Sequence, residues 1–363
     1  MSKTIALPPP TVASLSTEEL WIVSGDVVGY MEQRHHNHFL FHGQNNPREA
    51  EAEKKCQYCQ LKNFSTHDLY PVSIVFDEGE RRTIPVDFTF IEQNILRDDV
   101  HLAEEMFLSG CECDDDHQCM TGACHCLQDV QNEEPGLKQN AYHVVGDRKG
   151  CLRGHMLVSR KPIYECHARC GCSEECPNRV VGAGRKVNLQ VFPTWDDRGW
   201  GVRTTEDIKR GQFVGSYVGE LITSTEARRR REAGSSLSHK DVYLFALDKF
   251  SDPDSQDPRL RGDPYEIDGE FFSGPTRFIN HSCDPNLRIF AVVTDHANKP
   301  FHGLAFFALK DIEKDTELTF DYTDGVSSRK DERNIEEMTE DEMANLTITK
   351  CLCGAENCRG YLF

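Results

Sequence analysis

No run of about eighteen apolar residues occurs in the chain, so no segment reads as membrane-spanning. Secretory character is missing too: residues 1–20 hold a single lysine, Lys3, then Pro8-Pro9-Pro10, and no apolar core. Basic charge is in deficit, with 41 Lys and Arg against 60 Asp and Glu, a formal net charge of −19. That balance excludes general attraction to nucleic acid or to an anionic membrane, and it suits a basic partner. No phosphate-binding glycine loop, nucleophilic serine motif, carboxylate dyad or solenoid repeat stands out. What the chain has in quantity is cysteine, sixteen residues in 363. Without secretory marks these are expected to stay reduced, and clustered reduced thiols point to metal rather than disulfides.

The length allows about two domains, and composition divides the chain further. Residues 1–50 read as a flexible extension, with Arg34-His35-His36-Asn37-His38 either a solvated segment or a metal site. Residues 51–108 hold β-like runs at 72–76 and 86–91 and form an N-terminal associated region. A cysteine-dense module fills 109–180, interrupted by a polar loop at 131–150. From 181 to 326 short strands are expected, at 189–192, 212–222, 242–247, 287–293, 304–309 and 317–322. One segment is helical: Thr223 and Glu226 make a capping box, 227–233 follow, and Gly234 suits the C-terminal turn. The arginine run at 228–231 reads as a solvated helix face, with chromatin contact as the alternative. Polar, charged residues 327–346 are expected as a mobile linker before a second cysteine module at 347–363.

The first cysteine group comprises Cys111, Cys113, Cys119, Cys124 and Cys126, then Cys166, Cys170, Cys172 and Cys176. Nine thiolates fill the twelve positions of three tetrahedral zinc ions when three of them bridge. Such a cluster has no open coordination site, so it serves structure rather than catalysis. Polar neighbours, Glu112, Asp114, Asp115, Asp116 and Glu174 among them, argue against an ordinary apolar core. At the tail, Cys351, Cys353 and Cys358 leave a tetrahedral zinc one ligand short. Cys283, in the turn Asn280-His281-Ser282-Cys283, is the candidate fourth ligand, which would tie the tail across that turn as a lid; a free buried thiol is the alternative. Cys56 and Cys59 have half-site spacing but no partner half, and read as a pair without metal; Cys151 reads as a free thiol.

Five motifs stand in order beside these modules: Arg198-Gly199-Trp200-Gly201, Gly219-Glu220, Arg277 to Cys283, Glu317-Leu318-Thr319-Phe320-Asp321-Tyr322, and Cys351 to Cys358. With the nine-cysteine block they resemble the pre-SET, SET and post-SET regions of SET-domain protein lysine methyltransferases, over about residues 35–363. The nine-cysteine block resembles the suppressor-of-variegation class, which methylates lysine 9 of histone H3, and the stretch Asp241 to Asp254, the Cys56–Cys59 element and the lack of a chromodomain-like N-terminus resemble its fungal heterochromatin and DNA-methylation branch. The resemblance implies a mostly β SET fold of small curved sheets with a knot-like C-terminal threading, flanked by zinc-bound modules. It implies S-adenosyl-L-methionine as methyl donor, with three zinc ions in the pre-SET module and one in the post-SET module. On the donor it places Arg198, Gly199, Trp200, Gly201, Tyr243, Arg277, Asn280, His281 and the terminal aromatic Phe363, where tryptophan would be unsurprising. At the lysine channel it implies Tyr322 and Tyr217, with Phe320 leaving room for a third methyl group where tyrosine would restrict the product.

The histone H3 N-terminal tail implied as substrate is rich in Arg and Lys. Asp252, Asp254, Asp257, Asp263, Glu266 and Asp268 face only Lys249, Arg259 and Arg261 in the same span, which suits either tail binding or a solvated loop. A basic peptide adding as a strand beside 242–248 would bring a guanidinium to Asp248. Heterochromatin recruitment factors and a nuclear, chromosomal location are implied, with no membrane and no strong direct nucleic-acid binding. Two other readings stay open: a methyltransferase for a non-histone lysine, and a zinc-scaffolded chromatin-binding protein that has lost catalysis.

Overall fold

The computed structural model describes residues 70, 72–74, 88–120, 124–130, 140–194, 196, 198–233, 243–323 and 350–362. Residues 1–50, Cys56, Cys59, 131–139, Gly234, 327–346 and Phe363 lie outside the described residues. Short apolar runs bounded by Gly, Pro and Asn give short strands. In chain order these are β1 (Val72–Ile74), β2 (Thr89–Phe90), β3 (Ile95–Leu96), β4 (Ile163–Tyr164), β5 (Leu189–Pro193), β6 (Trp200–Thr204), β7 (Phe213–Tyr217) and β8 (Glu220–Ile222). Then come β9 (Leu244–Ala246), β10 (Glu266–Asp268), β11 (Phe272–Ser273), β12 (Asn280–His281), β13 (Leu287–Val293), β14 (Gly303–Ala308) and β15 (Glu317–Phe320). Among the described residues the α-helices are α1 (Gly154–Val158) and α2 (Ser224–Ala233). The fold is mostly β, as expected.

The largest sheet runs β1-β5-β6-β15-β13-β14-β7, with β12 joined to β15 and β4 to β13. A second sheet runs β3-β8-β10-β9, and β11 pairs with β2. Strand β14 is buried at every residue but the first, because the largest sheet is covered on both faces. Val202, Val214, Phe306, Leu318 and Phe320 belong to one apolar cluster, and Tyr142, Leu152, Phe290 and Phe307 to another. Each such side chain stabilises the fold by roughly 1.5–3 kcal/mol on burial.

The cysteine module is fixed to this sheet through β4, which pairs with the end of β13 (Ile163 with Val292, Tyr164 with Val293). Tyr164 and Val293 pack against the cysteines themselves. Glu165 follows at 1% exposure, and its carboxylate accepts the amides of Val180, Val181 and Gly182 at 3.0, 2.8 and 2.9 Å and the Tyr142 hydroxyl. A buried carboxylate so fully bonded holds the module's last turn in one place.

Strand β13 has its expected limits, and three departures carry information. The strand expected at 212–222 is two, because a Cβ on Gly219 would lie 2.3 Å from the Asp268 carbonyl oxygen; this close approach sends β7 and β8 to different sheets. Strand β6 begins inside the Arg-Gly-Trp-Gly motif, at Trp200, and β10 lies in the acidic span. The arginine run is a solvated face only in its first half, at Arg228 and Arg229. Thr223 Oγ1 does accept the Glu226 amide, at 3.3 Å, to start α2. Arg230, however, donates to Glu220 at 2.9 Å and Asp268 at 2.8 Å, and Arg231 to Glu266 at 3.0 Å. All three carboxylates are buried. The same pairs correct the acidic span: Glu266 and Asp268 serve the fold, Asp263 meets Arg228, and Asp257 caps the turn at Arg259. Asp248, just before that span, lines a groove.

Candidate active site

Parallel pairing of β12 with β15 sets Asn280 beside Thr319 and His281 beside Phe320. Two residues past Phe320, Tyr322 donates its hydroxyl to the Ile279 carbonyl at 3.1 Å. The ring centroids of Tyr217 and Phe245 are 4.5 Å apart, Phe245 and Phe320 5.9 Å, and Phe320 and Tyr322 4.8 Å. Phe245, Phe320 and Tyr322 line a cavity of about 550 Å³ that also takes in Asp248, Arg288 and His302. Along it runs β9, which among the described residues is an edge strand of its sheet. Phe245 was missed at the level of sequence, where it is one aromatic within an expected strand.

Tyr217 donates its hydroxyl to the Tyr243 carbonyl at 2.8 Å. Room for that hydroxyl depends on Gly269, where a Cβ would lie 2.4 Å from it. Burial pushes the pKa values of Tyr217 and Tyr322 well above the ordinary tyrosine value. Both phenols are therefore neutral near pH 7, able to orient a group by hydrogen bonding but not to act as resting bases.

Three of the residues expected at the donor, Arg198, Trp200 and Asn280, are gathered through a carboxylate. Glu317, at the start of β15, accepts both ends of the Arg198 guanidinium at 3.1 and 2.8 Å, and Asn280 Nδ2 at 2.9 Å. Asn280 also donates to the Trp200 carbonyl at 3.0 Å. Gly199 between them has φ +86°, and a Cβ there would meet no atom within 4 Å, so backbone faces open space. Arg277 donates to the Gly269 carbonyl at 3.0 Å and stacks 4.0 Å above the Tyr243 ring. In the sequence Glu317 is one residue of a motif, and nothing in its neighbours names a cation 119 residues away.

His281 is 4% exposed, and burial pulls its imidazole below the ordinary histidine value. Its Nδ1 accepts the Tyr322 amide at 3.2 Å, and its Nε2 lies 3.3 Å from both Cys283 Sγ and Arg359 Nη2. Cys283 Sγ lies 4.0 Å from Cys351 Sγ, and Cys283, Cys351, Cys353 and Cys358 bring their sulfurs within 4.8 Å of one another. The tail thus closes on the turn that carries Asn280 and His281, as the missing-ligand count had suggested.

The nine upstream cysteines are free and converge in overlapping groups of four; Cys111 and Cys166 each belong to several, as bridging ligands must. Tetrahedral zinc with bonds of about 2.3 Å requires sulfurs about 3.8 Å apart. The pairs Cys111–Cys119, Cys124–Cys166 and Cys126–Cys170 stand at 3.8, 3.9 and 3.5 Å. Amides of Cys111 and His167 and the Asn178 side chain donate to these sulfurs, which suits thiolates. The donor set fits zinc at both places. Cys151 is buried and stands apart from both.

Comparison with known proteins agrees with this geometry. The SET domain family matches residues 199–323, and the Pre-SET motif matches residues 64–179. The histone-lysine N-methyltransferase, H3 lysine-9 specific dim-5, of Neurospora crassa is 51% identical over 92% of this chain and 100% of its own. Its solved structure covers 78% of this chain and 100% of that chain, with a TM-score of 0.66. The H3 lysine-9 specific KMT1 of Fusarium mangiferae is 47% identical over 90% of this chain and 97% of its own. Arabidopsis thaliana SUVH6 in complex with SAM is 28% identical, covering 81% of this chain and 53% of that chain with a TM-score of 0.58.

Proposed function

The chain belongs to the SET-domain histone-lysine N-methyltransferases of the suppressor-of-variegation class, and from that premise we propose that it methylates lysine 9 of histone H3, to the trimethyl state. The observation that carries this reading is the aromatic wall of Phe245, Phe320 and Tyr322 in a groove whose side is an open strand edge. An extended tail adds as a strand along β9, with Asp248 receiving an arginine. Its target lysine enters among the rings, where an apolar setting disfavours the ammonium and so favours the nucleophilic amine.

S-adenosylmethionine, when bound, supplies a methyl group on a positively charged sulfur. Arg198–Gly201, Tyr243, Arg277, Asn280, His281 and Phe363 hold it, with the backbone at Gly199 open to close approach. Tyr322 and Tyr217 orient the amine, and the Asp321 carboxylate between Phe320 and Tyr322 is taken up by Arg359 and Thr323 rather than free as a base. Phe320 leaves space for a second and third methyl group. The nine upstream thiolates hold three zinc ions as a scaffold, and the tail quartet holds one, so that the tail closes over the donor. The setting is the nucleus, where the enzyme and its recruitment factors form heterochromatin and silence genes.

The test is incubation with labelled S-adenosylmethionine and an H3 tail peptide carrying lysine or arginine at position 9. Label confined to the lysine peptide is expected, and mass spectrometry should find it trimethylated. Equal label on the arginine peptide would overturn the proposed site.

A further inference from the structure

Two ties run from the tail to the strand end that carries Phe320 and Tyr322, and they touch at His281, whose Nε2 lies 3.3 Å from Arg359 Nη2. One is through the metal quartet: Cys283 Sγ meets His281 Nε2, and His281 Nδ1 accepts the Tyr322 amide. The other needs no metal. Arg359, next to Cys358, donates through both ends of its guanidinium to Asp321, at 2.7 Å to Oδ1 and 3.1 Å to Oδ2. It donates also to Thr323 Oγ1 at 3.0 Å, and its amide points at Cys283 Sγ at 3.4 Å. The Arg359 and Asp321 side chains are 24% and 15% exposed, so this forked pair is largely out of water, where such bonds are strongest. Asp321 itself stands between Phe320 and Tyr322, and its amide neighbour Ser282 donates to the Phe320 carbonyl at 3.0 Å.

We infer that Arg359 is a positioning residue: through Asp321 it makes closure of the cysteine-rich tail and alignment of the Phe320–Tyr322 wall a single event. The inference rests on the proposed methyl transfer for its kinetic consequence but not for its structural one. When Arg359 engages, the tail is held against 321–323 and the backbone between the two rings is fixed. When it is lost, zinc still ties the tail to Cys283, but the tail no longer fixes the strand end beyond Phe320.

Four proteins decide this: native, Arg359→Ala, Asp321→Asn and the double variant, with Arg359→Lys as the conservative control. Hydrogen exchange of residues 318–323 and 350–362 is followed together with bound zinc, and kinetics follow with the H3 peptide. Expected are native zinc content in every variant, joint loss of protection in both segments, and about a tenfold fall in kcat/KM for S-adenosylmethionine. The double variant should be no worse than the worse single one, and Arg359→Lys should recover part of the loss. Independent losses that multiply in the double variant overturn the inference, as does protection lost in the tail alone. Zinc lost along with activity overturns it too, because Arg359 then serves only the tail's own fold. If the two segments lose protection together while even the native protein leaves H3 peptides unmethylated, the proposed function fails and the coupling stands.

Discussion

Substituting Gly269 by alanine tests the placement of Tyr217 most directly. The added methyl would sit 2.4 Å from the Tyr217 hydroxyl, 2.9 Å from Cζ and 3.2 Å from Ser273 Oγ. Ordinary contact begins near 3.4 Å, so the hydroxyl must retreat by about 1 Å. The 2.8 Å bond to the Tyr243 carbonyl then opens, and a phenol on a residue only 3% exposed is left without its acceptor. That loss costs about 1–3 kcal/mol of stability. The catalytic cost is larger, because a displacement of about 1 Å near the reacting groups lowers rate by up to about 100-fold. The ring meets Phe245 at 4.5 Å, so its movement carries into the wall. Gly269→Ala should therefore lose about 30- to 100-fold in kcat, with KM for the donor changed little. Tyr217→Phe is the control: it deletes the same bond and leaves the ring in place, so its fall in kcat should be smaller. Initial rates with both substrates varied, beside thermal melts that establish the folded fraction, measure this. A Gly269→Ala enzyme within twofold of native kcat, or a Tyr217→Phe enzyme worse than it, would refute the ring's position as the cause.

Phe320→Tyr places a hydroxyl beside Tyr322 and Phe306, whose rings are each 4.8 Å away, and should shift the end product to mono- and dimethyl-lysine; persistent trimethylation contradicts the space argument. Chelation that removes the tail zinc should abolish activity while far-ultraviolet dichroism of the sheets persists, and activity surviving with zinc shown to be gone would rule out the tail as a lid. Arg230→Ala takes the arginine from Asp268, 3% exposed, and leaves Glu220, 5% exposed, with Arg97 alone, and should cost about 3–5 kcal/mol in denaturant unfolding. Burial alone would raise the Glu220 carboxyl, but Arg230 and Arg97 outweigh it and hold it below the ordinary value of 4.5. The stability this brings is present above that value and lost as pH falls through the lower folded one. The acid-unfolding midpoint of Arg230→Ala should accordingly move to higher pH, and an unmoved midpoint would remove Arg230 from the network.

How much was legible depends on the range over which the signal acts. Cysteine spacing is local and its coordination number is fixed, so a nine-thiol group and a tail short by one ligand were countable before any fold was known. The choice of Cys283 followed from the same count, and the sulfurs do converge. Strand β13 was plain because seven apolar-rich residues stand between turn signals. The arginines of α2 were opaque for the opposite reason. A helix face of Arg230 and Arg231 looks the same whether it meets water or the buried Glu220, Glu266 and Asp268, and only the pairing of β10 with β8 brings those acids beneath it. One missed strand hid both facts at once.

The motif from Glu317 to Tyr322 shows why a six-residue signature can carry so much of a site. In β15, Leu318 and Phe320 are buried while Glu317 and Thr319 are half-buried, the alternation a strand imposes on its two faces. The apolar face supplies the floor of the channel at Phe320. The polar positions reach outward to different segments: Glu317 to Arg198 and Asn280, Asp321 to Arg359 of the tail. The Arg198–Asn280 cluster, the aromatic wall and the cysteine-rich tail are therefore referred to one strand, and their relative positions are set by its pleat rather than by the loops that deliver the partners. A shift of register by one residue would exchange the two faces and dissolve all three connections together. That dependence explains why the motif was recognisable as a unit while the partners of Glu317 and Asp321 were not, since the partners are chosen by the fold around a strand whose own sequence states only which face is which.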